Sequence, residues 1–218
     1  MDESALNERE RYRLMQAESS AREARLRMLR YQLNPHFLFN TLNAINALIE
    51  LGENDKAGKM IRLLGDFLRH NLEQDGAENV RLEQELESLM LYLNIEKTRF
   101  QDRLRLEFDI EPRARRALVP GLILQPIVEN SMKYAIAPSE EGGTVWVKAR
   151  VVEDELQLEV ADTGPGMETP DSASGRGVGL RNTLERLRTL YEDGFTLETA
   201  NREPSGLAVL IRCPFRTA

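Results

Sequence analysis

The chain changes character once, and that change decides what it can fold into. Up to Phe100 its patterning is helical, and beyond Arg103 short alternating segments take over, so a single all-helical or all-strand class does not fit. Residues 1–34 hold neither Gly nor Pro. Their apolar positions Leu14, Ala17, Ala21, Ala24, Met28 and Tyr31 alternate spacings of three and four, the seam of a parallel two-stranded coiled coil. Residues 35–78 read as a helical hairpin: an apolar helix through Glu50, a turn over Leu51–Asp55, and a return helix with Met60, Ile61, Leu64, Phe67, Leu68 and Leu72 at helical spacing. Two helices cannot bury that much apolar surface alone. Two hairpins paired as a four-helix bundle can, so a homodimer is expected.

A third helix is predicted over Leu82–Phe100. After it come a strand over Arg103–Ile110, a helix over Pro120–Ala137 and a strand pair, Gly143–Val152 and Glu155–Ala161. A glycine-rich stretch, a helix over Val178–Glu192 and strands near Phe195–Ala200 and Gly206–Cys213 complete the chain. Residues 79–218 are thus expected to form an α+β sandwich, an antiparallel or mixed sheet covered on one face by helices. A hydrophobic content of 41% with 30% charged residues argues against disorder, and no apolar run reaches the roughly 20 residues that span a bilayer. The N-terminus has no signal-peptide pattern, so any membrane contact is expected only through a sensor region outside this chain. With 29 basic against 36 acidic residues, net −7, a phosphate-backbone binder is disfavoured and no nucleic-acid partner is expected. One cysteine and two histidines leave no material for a disulfide or a multi-histidine metal site, which fits a cytoplasmic setting.

Three short stretches carry chemistry. In Asn34-Pro35-His36-Phe37-Leu38-Phe39-Asn40 the imidazole of His36 and the amide of Asn40 stand one turn apart, with Asn43 continuing the polar stripe on an otherwise apolar helix. Asn34-Pro35 itself reads as an N-cap with Pro at the first helical position. In Gln125-Pro126-Ile127-Val128-Glu129-Asn130-Ser131-Met132-Lys133-Tyr134, Asn130 and Lys133 are one turn apart, spaced for an amide oxygen on a magnesium ion and an ammonium on the phosphates it bridges. In Asp162-Thr163-Gly164-Pro165-Gly166 a carboxylate at a strand end can accept from an exocyclic amine. Gly164 and Gly166 let the backbone pass beneath a flat ring. Then Gly175, Arg176, Gly177, Val178, Gly179 and Leu180 open a helix whose N–H groups can face phosphates. Read singly, each has an ordinary structural explanation: a core histidine with capping neighbours, solvent-facing polar residues, a turn, a linker.

Taken in this order and at these separations, NPHFLFN, VENSMKY, DTGPGM and GRGVGL resemble the LytS-type sensor histidine kinases, and the likeness runs from Leu29 to the C-terminus. The resemblance implies a dimerisation and phosphotransfer hairpin, then an ATP-binding domain of the Bergerat type. It implies that His36 accepts a phosphoryl group from ATP with Asn40 orienting the ring, Glu129 being an alternative proton acceptor. Asn130 would hold Mg2+, and Lys133 and Tyr134 would line the nucleotide. Asp162 would read adenine, and the two glycine stretches would wrap base and phosphates. The partner implied is the receiver domain of a response regulator. Tyr134 stands where the family usually carries His, and Phe37 follows the acceptor where many other histidine kinases place an acid. Two alternatives share the nucleotide-binding fold: an ATP-binding regulatory dimer without phosphotransfer, against which His36, Asn130 and Asp162 together count, and an ATPase, which would need a water-activating carboxylate one turn before Asn130, where this chain has Pro126.

Overall fold

The computed structural model describes residues 35–73, 79–167 and 178–217. The expected coiled coil (1–34), the Asn34 cap, and Gly175, Arg176 and Gly177 lie outside the described residues. The chain divides into two compact units between Asn54 and Asp55.

In the first unit α1 runs over Pro35–Glu50, with Pro at its first position, where a missing N–H costs nothing. It ends in a Schellman turn: Gly52, at φ +75°, donates to Ile49 O and Glu53 donates to Leu48 O, both at or under 3.0 Å. Phe37, Thr41, Ile45 and Leu48 recur every three or four residues and are buried. Phe39, Leu42 and Ile49 form a second, exposed apolar set, with Phe39 67% exposed.

The second unit holds all but the first residue of α2 (Asn54–Glu73), which buries Ala57, Met60 and Phe67. Strand β1 (Asn79–Arg81) leads into α3 (Leu82–Phe100), the helix bounds expected from the sequence. Glu83 and Glu85 in its first turn and Lys97 and Arg99 in its last suit the helix dipole. A five-stranded mixed sheet follows, built from β2 (Leu104–Ile110), β4 (Gly143–Val152), β5 (Glu155–Asp162), β6 (Thr196–Asn201) and β7 (Leu207–Pro214), in the order β2-β4-β5-β7-β6. Only the β2–β4 pair is parallel. Val145, Val147, Leu156, Leu158, Val160 and Ile211 bury one face of it.

The segment expected to be one helix from Pro120 to Ala137 differs. Leu118–Pro120 is strand β3, paired antiparallel with β1, and residues 121–124 turn before α4 (Gln125–Ser131). The helix then widens into a π-helical turn over Met132–Ile136, closed by Ala137 N–H to Met132 O at 2.9 Å. Pro120-Gly121 breaks the pattern, and the buried carboxylate of Glu85 takes the N–H groups of Leu122 and Leu124 at 2.8 and 2.9 Å, fixing where the helix starts. Helix α5 spans Val178–Tyr191. Among the described residues no helix is long and apolar enough to cross a membrane.

Candidate functional site

Asp162 closes β5 and is 5% exposed. Three donors hold its carboxylate: the Ser131 hydroxyl gives to Oδ2 at 2.8 Å, and the N–H groups of Gly164 and Leu207 give to Oδ1 at 2.9 and 3.3 Å. Ser131 is the residue after Asn130, so this hydroxyl ties the strand end to α4. A buried carboxylate positioned this way keeps acceptor capacity for one more donor in a fixed direction.

Glycines bring the stretches together by contact. A Cβ on Gly164 would stand 2.7 Å from Ala135 Cβ, so the turn after Asp162 lies directly on the π-helical turn. On Gly179 a Cβ would meet Asn130 Nδ2 at 3.0 Å and Pro126 O at 3.2 Å, so the start of α5 is pressed against Asn130. Gly206, at φ +123°, passes so close that a Cβ would lie 2.0 Å from Asp162 O. Gly166, at φ +77°, sits against Asn201. That amide makes two bonds to Met167, accepting from its N–H at 2.8 Å and donating to its carbonyl at 2.7 Å.

Lys133 and Tyr134 lie in the π-helical turn and are both exposed, with Lys133 Nζ 4.8 Å from the Tyr134 ring centroid. Arg103 donates to the carbonyls of Ile136, Ala137 and Ser139, the open end of that turn. Glu129 is half-buried and accepts from Gln125 Nε2 at 2.9 Å, and its charge helps to raise the pKa values of Tyr92 and Glu96 on α3. Leu180 is buried on α5. Among the described residues no three His, Cys, Asp or Glu cluster as a metal cage. Asn130 offers a single amide oxygen, a donor set that suits magnesium brought in on phosphates rather than held by protein alone.

In the first unit His36 is exposed on α1, and Asn40 Nδ2 lies 3.1 Å from His36 Nδ1, the contact expected of residues four apart. Ser131, Glu85, Arg103, Asn201 and Gly206 were not anticipated from the sequence. Of these, Asn201 ends β6 and Gly206 lies in the turn that follows it, far along the chain with no local pattern. Glu85, by contrast, carried a signal: an acid at an inward position of an apolar helix needs a partner.

A mixed sheet with a buried strand-end aspartate under glycine turns, set against an Asn-bearing helix, is a nucleotide-binding arrangement. Residues 24–104 match the family described as histidine kinase, and residues 118–217 match the histidine kinase-, DNA gyrase B- and HSP90-like ATPases. The sensor histidine kinase YesM of Bacillus subtilis is 32% identical over 197 residues, covering 89% of this chain and 34% of that protein. The sensor protein LytS of Enterococcus faecalis is 33% identical over 205 residues, covering 88% and 34%. The solved histidine kinase AdeS of Acinetobacter baumannii shares the fold with a TM-score of 0.50 at 14% identity, over 83% of this chain and 96% of that one. The chain carries a histidine kinase domain followed by a histidine kinase-type ATPase domain, its relatives include the LytS sensor histidine kinases, and it spans about a third of the length of the curated relatives it matches.

Proposed function

We propose that this chain is the kinase region of a two-component sensor: it transfers the γ-phosphoryl group of ATP to His36 and passes it on to an aspartate of a response-regulator receiver domain. The observation that carries the reading is the meeting of Asn130, Gly179, Gly164 and Asp162 in one site. There, Asp162 accepts from the adenine amine, and the turn through Gly164 and Gly166 lies under the base. Tyr134 offers a ring face, and Lys133 balances phosphate charge. The residues fit Mg2+ on the nucleotide held through Asn130, where the ion would neutralise charge on the phosphates.

For the attack, one ring nitrogen of His36 must present a lone pair. Asn40 Nδ2 stands 3.1 Å from Nδ1; with the amide oxygen and nitrogen exchanged, Oδ1 would accept the Nδ1 proton and leave the Nε2 lone pair for the γ-phosphorus. As the N–P bond forms, the bond to the β,γ-bridging oxygen breaks, ADP departs with the electron pair, and the Nδ1 proton is released to solvent. Here residues 35–78 serve as the dimerisation and phosphotransfer hairpin and residues 79–218 as the ATP-binding domain, with residues 1–34 as the signalling helix that feeds them. The second copy is expected against the exposed Phe39, Leu42 and Ile49 of α1, an apolar set with no other use. The setting is the cytoplasm, where ATP and the regulator are found.

Incubation with γ-labelled ATP tests the reading. An acid-labile, alkali-stable label is expected, lost in His36→Gln while ATP binding persists. Label retained in that variant would overturn it.

A further inference from the structure

The sheet face opposite Val145, Val147 and Val160 carries a contact that the assignments above do not use. Trp146, the single tryptophan of the chain, stands on β4 in register with Ala161, Ala208 and Ala200 on β5, β7 and β6. Three small side chains in a row leave a trough across the sheet, and Arg202, just past the end of β6, reaches Trp146 across it. Its guanidinium carbon lies 4.2 Å from the centroid of the indole ring, a cation–π stack, while the indole N–H donates to Glu107 Oε2 on β2 at 2.7 Å. Arg202 also opens the turn into β7. Its N–H donates to Gly206 O at 2.9 Å, and Glu203, Pro204 and Ser205 between them are exposed. Both ends of this turn touch the candidate site. Before Arg202, Asn201 makes its two bonds to Met167; after it, Gly206 packs on Asp162 O and Leu207 N–H donates to Asp162 Oδ1. At 3.3 Å that is the longest of the three bonds on the carboxylate, and the only one of the three whose donor this turn carries.

We propose that Arg202 and Trp146 are positioning residues for the adenine base: their stack anchors the Arg202–Gly206 turn from the outer face of the sheet, and so keeps Leu207 N–H on Asp162 and Asn201 on Met167. This deepens the function proposed above and rests on it. Trp146 pairs with Ala161, the neighbour of Asp162 on β5, so the indole and the Asp162 carboxylate lie on opposite faces of the sheet. The pair therefore acts on the base through the turn. With the stack gone, three exposed residues lose their outer anchor, and the longest bond on Asp162 is the first to loosen. The direction in which that carboxylate offers its remaining acceptor is set by the donors already on it, so the fit to the adenine amine loosens with it. Transfer of the γ-phosphoryl group takes place at the other end of the nucleotide, and the stack leaves that step alone.

The test measures Mg-ATP and ADP affinity by calorimetry for the full chain, Arg202→Gln, Trp146→Leu and the double variant, with tryptophan emission as the reporter of the stack wherever Trp146 is kept. Arg202→Gln should weaken ATP and ADP by the same factor, about three- to tenfold, and shift the emission, while the labelling rate at saturating ATP holds. Arg202→Lys keeps the cation and should recover most of the affinity. The double variant should bind no more weakly than the weaker single one, because both substitutions break one contact. Unchanged affinity with a shifted emission, additive losses, or a loss confined to ATP would overturn the role of the pair and leave the kinase reading intact. A parent that binds neither nucleotide would overturn both. Should Trp146→Leu fail to fold, Arg202→Gln against Arg202→Lys decides: equal affinities in those two contradict the proposal.

Discussion

At the scale of single residues, the site depends on where Asp162 is held and what it can still accept. Asp162→Asn removes the charge from the proposed bond to the adenine amine, worth about 1.5–3 kcal/mol, so ATP should bind roughly 10- to 150-fold more weakly by calorimetry. GTP, which presents a carbonyl at that position, should bind poorly to the parent. Gly206→Ala should be far more damaging than a loop substitution usually is. It asks for a side chain at φ +123° and sets a methyl 2.0 Å from Asp162 O, so unfolding in denaturant should show a loss above about 3 kcal/mol together with weakened ATP binding. The roles proposed for Asp162, Asn130 and His36 were readable from the sequence because each sits in a short patterned stretch. Gly206 was not, because its constraint comes from a strand more than forty residues earlier in the chain. Ser131 lay inside a recognised stretch and was still missed, since only the fold shows that its hydroxyl points at Asp162 rather than at solvent.

At the scale of elements, α3 acts as a gauge for α4. Glu85→Ala would leave the half-buried N–H of Leu122 and the buried N–H of Leu124 without an acceptor, at about 1–3 kcal/mol for the buried one, so both stability and ATP affinity should fall. Glu96 has the opposite sign. Its carboxyl is lifted from 4.5 to about 7 in the folded chain, so its contribution is fully present below about pH 4.5 and is lost as pH rises to about 7, a total of about 3 kcal/mol. In urea unfolding, the stability of Glu96→Gln relative to the parent should therefore rise between those pH values and level off above them. The helix and strand bounds of α3, β4 and β5 were readable from periodicity, because each buries one face over its whole length. The β1–β3 pair was not readable: three residues per strand carry no period, and the pairing joins segments separated by all of α3. The π-helical turn was also hidden, since its extra residue is accommodated by Arg103 from outside the helix.

At the scale of the whole molecule, the apolar surface of α1 calls for a partner. The full chain should behave as a dimer in light scattering at micromolar concentration, and replacing Phe39 and Leu42 by serine should shift it toward monomer while ATP binding remains. The proposed activity turns on one atom receiving one group. Tandem mass spectrometry of the chain after incubation with Mg-ATP, under alkaline handling that preserves phosphoramidates, locates that group directly. A single phosphoryl group is expected on His36 and none on His70. Phosphate on another residue, or ATP consumed with His36 unmodified, would contradict it.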